Sequence, residues 1–506
     1  MGGDVLFISF LIVSCCQCLT IARAHDAVYP QEQEIVATAT DGSVGPGTLD
    51  VPVPQAGEPK YDDEPTNARE VEQHAEKEAI LESARKEMHQ LINMDVGVLL
   101  PEEEVEKLKR DGEKILRSKM IYKRKYAISP TTGKEGFLKW KGRLAVNGAG
   151  QTEGVDTVWN TFSPTIGFTA IRTMISVLCN PKYLVESYDL PGAFLGTKLE
   201  NQAVYVRLPP DAGEYANKVI RLTKSVYGIK NSGSSFMKQL SDRIPSFTKR
   251  VETDVLSDAG EANAGKAKAR KRVEVAGFEK TLTDQYMYVY RDSIGREMIF
   301  LSYVDDIVCA TTDKDLRDRF FAHLKKSWDI TCEGTLDRFL AVHFTRSQDG
   351  WSWKADMRAY IEKIANRFGL TETKQYRTPM DPGFVLTESD FTEEPTEEMK
   401  TELRSMVGSI GYATLALRYD TAYALSVLSR HLVRPCKKVL DAARRVIIYL
   451  YCTRDFFIEW SSSEKEINDG TANVLTGSVD ASFAMDAMNR RSHGGFINFI
   501  NHGAVS

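Results

Sequence analysis

Between Glu76 and Arg117 the apolar residues Leu81, Met88, Leu91 and Leu99, then Val105, Leu108, Ile115 and Leu116, recur among interleaved acids and bases, which predicts two helices broken near Pro101. The period then drops to two. Ser118–Tyr126 and Phe137–Val146, with a turn at Thr132-Gly133 between them, predict a basic antiparallel hairpin on which Lys141 and Arg143 share a face. Phe168–Leu178 predicts a helix, and Tyr183–Leu190 a strand ending at Asp189, an acid that equally suits a cap or turn before Pro191-Gly192. Val204–Val206 and Lys218–Leu222 predict strands; Ser225–Ser232 leads into a helix from Ser234 to Leu240. Further on, Tyr286–Tyr290 and Met298–Ile307 predict strands, the latter interrupted by Asp305-Asp306, so a hairpin carries two carboxylates at its tip. Such a pair makes a good turn, and it also offers oxygen ligands to hard divalent cations.

The remainder alternates between the two periods. Asp315–Lys326 and Ala359–Phe368 predict helices, with strands at Phe339–Phe344 and Trp351–Trp353, followed by a polar, acidic connector over Thr378–Glu398. Helices are expected over Glu402–Leu417, Ala422–His431 and Lys438–Tyr451, then strands at Val474–Asp480 and Gly494–Ile500, with nothing to close that last sheet.

Composition adds an asymmetry to this outline. The net charge of −5 is unremarkable for 506 residues, enough chain for about three domains. It conceals 19 acidic against 5 basic residues from His25 to Val105, and 13 basic against 4 acidic from Glu106 to Ala145. The basic block suits a polyanion or a solvated helix face. A second basic run, Lys266–Arg272, lies in a stretch from Asp254 to Val275 that reads as an inserted mobile loop, nucleic-acid contact being the lesser alternative. Of the eight cysteines, Cys15, Cys16 and Cys18 lie in the first apolar segment, and the other five show neither a disulfide framework nor metal-ligand spacing. Residues 1–24 resemble a signal peptide, with apolar Val5–Val13 and Ala22-Arg23-Ala24, but Asp4, the absence of an early Lys or Arg, the odd cysteine count and the lack of an Asn-x-Ser/Thr sequon speak against secretion. That run is too short to span a membrane comfortably, and no stable membrane partner is expected. Residues 25–77 read as an acidic disordered linker.

The order of Lys141-Gly-Arg-Leu-Ala145, Thr161-Phe-Ser-Pro164, Asp189-Leu-Pro-Gly-Ala-Phe-Leu195, Ser225-Val-Tyr-Gly-Ile-Lys-Asn-Ser232, Tyr303-Val-Asp-Asp306 and Arg377-Thr-Pro-Met380 resembles the reverse transcriptase of Ty1/copia-type LTR retrotransposons. Met406–Ala413, Arg418-Tyr-Asp420, Ala422–Ala424 and Val474–Ala481 followed by Arg490-Arg-Ser492 are similar to the connection and ribonuclease H start of the same Pol polyproteins. The resemblance covers about Glu78 to Ser506 and implies an α+β right-hand polymerase. Its fingers and palm would occupy 78–345 with the basic insertion at about 250–275, a thumb-like region and connector 346–398, a helical connection 399–465, and a truncated RNase H-like start 466–506.

The resemblance also implies roles. Asp189 and Asp305, 116 positions apart, would converge across adjacent palm strands on two Mg²⁺ ions, or Mn²⁺, with Asp306 assisting. Arg143, supported by Lys141, matches the residues that grip the triphosphate; Phe194 falls at the aromatic gate against a ribose 2′-hydroxyl, although core packing explains an aromatic there equally well. Tyr227, Gly228 and Lys230 match the segment lining the nucleotide and template pocket, and Tyr303 would pack near the primer end. The implied partners are an RNA or DNA template with its primer, deoxynucleoside triphosphates and the RNA–DNA hybrid, with a cytoplasmic or nuclear location. Three departures stand out. Lys230-Asn-Ser-Gly233 replaces a usual Lys-Gln-Ser-Pro, which would loosen the next helix, Tyr419 replaces a common proline, and Asp480 is a lone vestigial match among the RNase H acids, so hydrolysis of an RNA strand is not expected. The alternatives are a decayed or co-opted remnant that binds RNA–DNA hybrids without polymerising, and a secreted protein with a dead retroelement fold.

Overall fold

The computed structural model describes residues 64–128, 135–152, 163, 165–199, 203–255, 270–282, 284–371, 375–484 and 490–506. The signal-like segment, most of the acidic linker, the turn at Thr132-Gly133, most of Thr161–Pro164 and the centre of the basic insertion (256–269) lie outside them. The described residues divide into two compact units, one built from residues between 64 and 164 together with 192–242, the other from 165–191 together with 243–506. Among the described residues no helix is long and apolar enough to cross a membrane.

The first unit holds a five-stranded sheet in the order Gly97–Leu99, Val219–Leu222, Val204–Arg207, Ile115–Ile128, Glu135–Val146. The predicted basic hairpin is present, with Ile121 opposite Arg143 and Lys123 opposite Lys141. Ile115 and Leu116 belong to its first strand and not, as the apolar spacing predicts, to the preceding helix. There Ile115–Arg117 pairs in parallel with Tyr205–Arg207, a long-range contact that overrides local spacing. The helix Lys77–Asn93 packs Ile80, Ala84, Met88 and Leu91 into the core on one face of that hairpin. Its amphipathic stripe, at i, i+4, i+8 and i+11, puts these residues on one face.

The second unit contains a seven-stranded antiparallel sheet in the order Thr331–Thr335, Leu184–Asp189, Asp306–Thr311, Glu297–Tyr303, Met287–Arg291, Arg270–Lys280, Thr248–Val255. Its last two strands take the ends of the stretch read as a loop, Asp254-Val255 and Arg270–Val275, into the sheet, where Thr248–Val255 and Arg270–Lys280 pair over eight positions; 256–269 lie outside the described residues. The helix Lys314–Leu324 covers one face, starting where the Asp313 carboxylate accepts the Leu316 N–H at 2.6 Å. Its Phe320 is fully buried, with ring centroids 4.5 Å from Phe278 and 5.4 Å from both Phe247 and Phe300.

A four-stranded sheet follows in the order Arg338–Phe339, Val342–Arg346, Ser352–Asp356, Phe457–Ser461. The strand predicted over Phe339–Phe344 is in fact a tight hairpin, because Leu340 and Ala341 both take positive φ (51° and 60°) without the Asn-Gly signal such a turn usually shows. Phe457–Ser461, unforeseen in the helical stretch, pairs with Ser352–Asp356 and sets the fully buried Trp353 opposite the fully buried Trp460. The final sheet, expected to lack a closing strand, has one: Gly503–Ala504 folds back on Phe499–Ile500 through Asn501 and His502, again at positive φ.

Candidate active site

The opening of the seven-stranded sheet brings the predicted acids together. Tyr303 and Asp306 form the closing pair of a hairpin whose two-residue loop is Val304-Asp305. Val304 has a φ of +56°, a region that branched L-residues avoid, at a cost of about 1–3 kcal/mol that the flanking ladders must offset. On its other side Asp306 is the register partner of Asp189, and partners in a ladder project to the same face. The Leu190 N–H donates to the Asp305 carbonyl at 2.9 Å, fastening the loop to the end of the Asp189 strand. The direct cross-strand partner of Asp189 is therefore Asp306, with Asp305 joined through its backbone.

The Asp189 strand is locked from its opposite face. Arg317 donates to both Glu186 oxygens at 2.6 and 2.5 Å, Tyr188 donates to Glu186 at 2.7 Å, and the Tyr188 ring stacks on Phe321 with centroids 3.7 Å apart. Period-two alternation thus separates a supporting face, carrying residues 186 and 188, from a chemical face at 189.

Electrostatics mark that face. Desolvation, followed by the charge of Asp189, raises the Asp306 carboxyl above the ordinary aspartate value, although its outer side reaches water and screens the effect. Glu333, which the sequence pattern does not single out, joins them. It is the extra residue of a β-bulge between Cys332 and Gly334 in the strand beside Asp189, and its carboxyl is raised by desolvation, then by Asp189, Asp306 and Asp337. Gly334, at φ +100°, is the one local sign of that bulge. Oxygen-only, anionic, mutually repelling donors fit a hard divalent cation. Among the described residues, however, no three His, Cys, Asp or Glu side chains converge closely enough to hold a metal ion.

Tyr303 is half-buried beside Tyr412 of the helix Glu397–Ala416. Burial, then Tyr303 and Tyr360, push the Tyr412 hydroxyl up to about 12, and that hydroxyl donates to the Leu340 carbonyl at 2.7 Å. Asp480 is exposed on Thr476–Ser482, where its carboxylate accepts the Ala481 N–H at 2.8 Å.

In the first unit the predicted nucleotide-contacting residues form their own group. The Arg143 guanidinium lies 4.5 Å from the centroid of the Tyr227 ring, and Phe194 meets Tyr227 edge-on at 5.2 Å and Phe236 at 6.1 Å. Phe194 is half-buried, so it packs on one side and stays accessible on the other. Gly228, at φ +91°, lies so close to Val146 that a Cβ would stand 2.1 Å from the Val146 carbonyl oxygen. Lys141 is exposed on the strand that carries Arg143. Lys230 is exposed as well, but its ammonium donates to the Gln151 carbonyl at 2.9 Å and its N–H to the Gln151 side chain at 2.8 Å. The following helix begins at Ser232, whose hydroxyl donates to the Val226 carbonyl at 2.7 Å.

One unit thus carries acids juxtaposed by a strand end and a tight hairpin on an antiparallel sheet, and the other carries an Arg–aromatic cluster. Comparison with known proteins adds a family. Residues 107–255 and 261–382 match the family described as reverse transcriptase (RNA-dependent DNA polymerase), and the chain belongs to that family. It is 28% identical over 451 residues to the retrovirus-related Pol polyprotein from transposon TNT 1-94 of Nicotiana tabacum, covering 88% of this chain and 30% of that protein. It is 27% identical over 374 residues to the Pol polyprotein from transposon RE2 of Arabidopsis thaliana (73% and 22% covered), and 23% identical over 439 residues to the truncated transposon Ty1-A Gag-Pol polyprotein of Saccharomyces cerevisiae (84% and 32%). The reverse transcriptase is thus of the copia retrotransposon type, and the chain spans about a third or less of the length of these relatives.

Proposed function

We propose that this chain is an RNA-directed DNA polymerase domain that adds deoxynucleotides to a primer 3′-hydroxyl on an RNA or DNA template. The observation that carries the reading is the register pairing of Asp306 with Asp189, with Asp305 fastened to Leu190 beside them. In the reaction the primer 3′-oxygen forms a bond to the α-phosphorus, the bond from that phosphorus to the pyrophosphate oxygen breaks, and the hydroxyl proton is lost. Asp189, Asp305 and Asp306 would hold two Mg²⁺ ions, or Mn²⁺, which when bound acidify the hydroxyl and neutralise charge on the triphosphate.

The chain's other residues bind and orient. The Arg143 fork, braced by the Tyr227 ring, engages phosphate oxygens in pairs, and Lys141 adds a point charge. Phe194 stands under the sugar and leaves no room for a 2′-hydroxyl. Tyr227 and Gly228 present a flat surface to the base pair, Lys230 steadies that segment through Gln151, and Tyr303 packs near the primer end. The sheet bearing the acids then serves as a palm, the Lys141–Arg143 hairpin as fingers, and the 346–398 region as a thumb. The partners are a primed template, deoxynucleoside triphosphates and the resulting RNA–DNA hybrid, at an intracellular site.

A second reading, a co-opted remnant that binds hybrids without polymerising, is favoured by one observation, the spacing of the carboxylates noted above. Primer extension on an RNA template separates the two. Template-directed product with Mg²⁺ or Mn²⁺, abolished by chelator, is expected; hybrid binding without any extension would overturn the polymerase reading.

A further inference from the structure

The strand that carries Lys141 and Arg143 lies at the edge of its sheet, so every second N–H faces away from the ladder. Two of these outward groups are captured. The Val146 N–H donates to the Tyr227 carbonyl at 2.8 Å, and the Leu144 N–H donates to a carboxylate oxygen of Glu87 at 3.1 Å. Glu87 belongs to the helix Lys77–Asn93 and is only 8% exposed. The helix comes this close because residue 142 is glycine: a Cβ there would meet the Ser83 carbonyl oxygen at 3.1 Å and the Ala84 nitrogen at 3.2 Å.

A second carboxylate at the start of the same helix binds the same strand, since the Trp140 indole N–H donates to Glu76. Eleven residues of helix span about 16 Å and four of strand about 14 Å, so two attachments eleven apart on the helix and four apart on the strand are nearly commensurate. Glu76 also takes the Arg124 guanidinium at 3.2 Å. Glu87 is different. It is buried, and the nearby positive charges acting on it are those of Arg143 and Lys141, the two residues read above as gripping the triphosphate. Burial outweighs them and raises its carboxyl, so this negative charge is held at a cost and is poorly screened.

We infer that Glu87 is a positioning residue for triphosphate binding: it holds the Arg143 strand through the Leu144 N–H and, as a buried counter-charge behind Lys141 and Arg143, sets how strongly they attract a polyanion. This rests on the reading of Arg143 and Lys141 as phosphate-binding. The two roles separate by substitution. Glu87→Gln keeps an oxygen acceptor for Leu144 but removes the charge, so the grip tightens. Glu87→Ala removes both, leaves the Leu144 N–H without its acceptor and loosens the strand, so the grip weakens.

The test is equilibrium binding of a Mg²⁺–deoxynucleoside triphosphate to the full chain, with inorganic pyrophosphate as competitor and Arg143→Ala alongside. Glu87→Gln is expected to lower Kd for both by about three- to tenfold, as expected for removal of one nearby, partly screened charge, with its melting temperature close to wild type. Glu87→Ala is expected to raise Kd. A purely structural Glu87 leaves the Gln variant at the wild-type Kd, and that result overturns the inference while Arg143→Ala still weakens binding. If wild type does not bind, or Arg143→Ala binds like wild type, the reading of Arg143 falls and the inference with it.

Discussion

Gly228→Ala tests the packing that holds the Tyr227 segment against the Arg143 strand. The residue adopts φ +91°, which an L-side chain enters at about 1–2 kcal/mol. The added Cβ would also stand 2.1 Å from the Val146 oxygen and 3.0 Å from the Val146 carbonyl carbon and nitrogen, all backbone atoms that no rotamer change can move. Relief requires the two segments to part, straining the Tyr227 carbonyl's 2.8 Å hydrogen bond from Val146, worth about 1 kcal/mol, on top of about 1–3 kcal/mol for overpacking. The total is about 3–6 kcal/mol, or a fall of about 1–3 M in urea midpoint for a unit of this size. Gly112→Ala is the control. Gly112 has φ +74° but nothing within 4 Å of its Cβ position, so it should lose only the conformational part, about 1–2 kcal/mol. Urea unfolding followed by near-UV circular dichroism compares the two variants. Equal losses at Gly228 and Gly112 would refute the close backbone approach.

Asp306→Asn tests the repulsion at the hairpin. Because the folded state raises this carboxyl above its unfolded value, folding binds the proton more tightly, and stability falls as pH rises from the ordinary aspartate range through the raised value. Near pH 7 and without divalent ions, the Asn variant should melt at or above the wild-type temperature, and it should gain less than wild type on adding Mg²⁺; a lower melting temperature without metal would contradict the assigned repulsion. Arg418→Ala should cost about 3–5 kcal/mol, because it strands a buried Asp420 that is otherwise paired at 2.6 Å and hydrogen-bonded by Tyr449 at 2.8 Å. Thermal melting reads that loss, and a change within 1 °C would show that the pair is dispensable.

Much of this was legible in the sequence because period and motif order agree. The hairpin at Ser118–Val146, the Asp189 strand and the Asp305-Asp306 tip follow from period-two alternation bounded by turn residues, and a role for the acids is proposed only from their family order. What escaped has physical causes. Leu340-Ala341 and Val304 turn at positive φ without glycine, so no composition signal marks those corners. Phe457–Ser461 becomes a strand only because Trp460 finds Trp353 about a hundred residues earlier, which no local window contains. Glu333 reaches the acids through a bulge, and Glu87 matters only because Gly142 lets a helix approach an edge strand. These contacts are long-range, and local propensity carries no trace of them.

The central claim, that Asp189 and the Asp305-Asp306 tip act together in nucleotidyl transfer, is tested most directly by single-turnover primer extension on an RNA template with Mg²⁺, comparing wild type with Asp189→Asn and Asp305→Asn. The expected result is extension by wild type and a drop of about a thousandfold or more in each variant, equivalent to about 4 kcal/mol of lost transition-state stabilisation. Extension by either variant at the wild-type rate would contradict it.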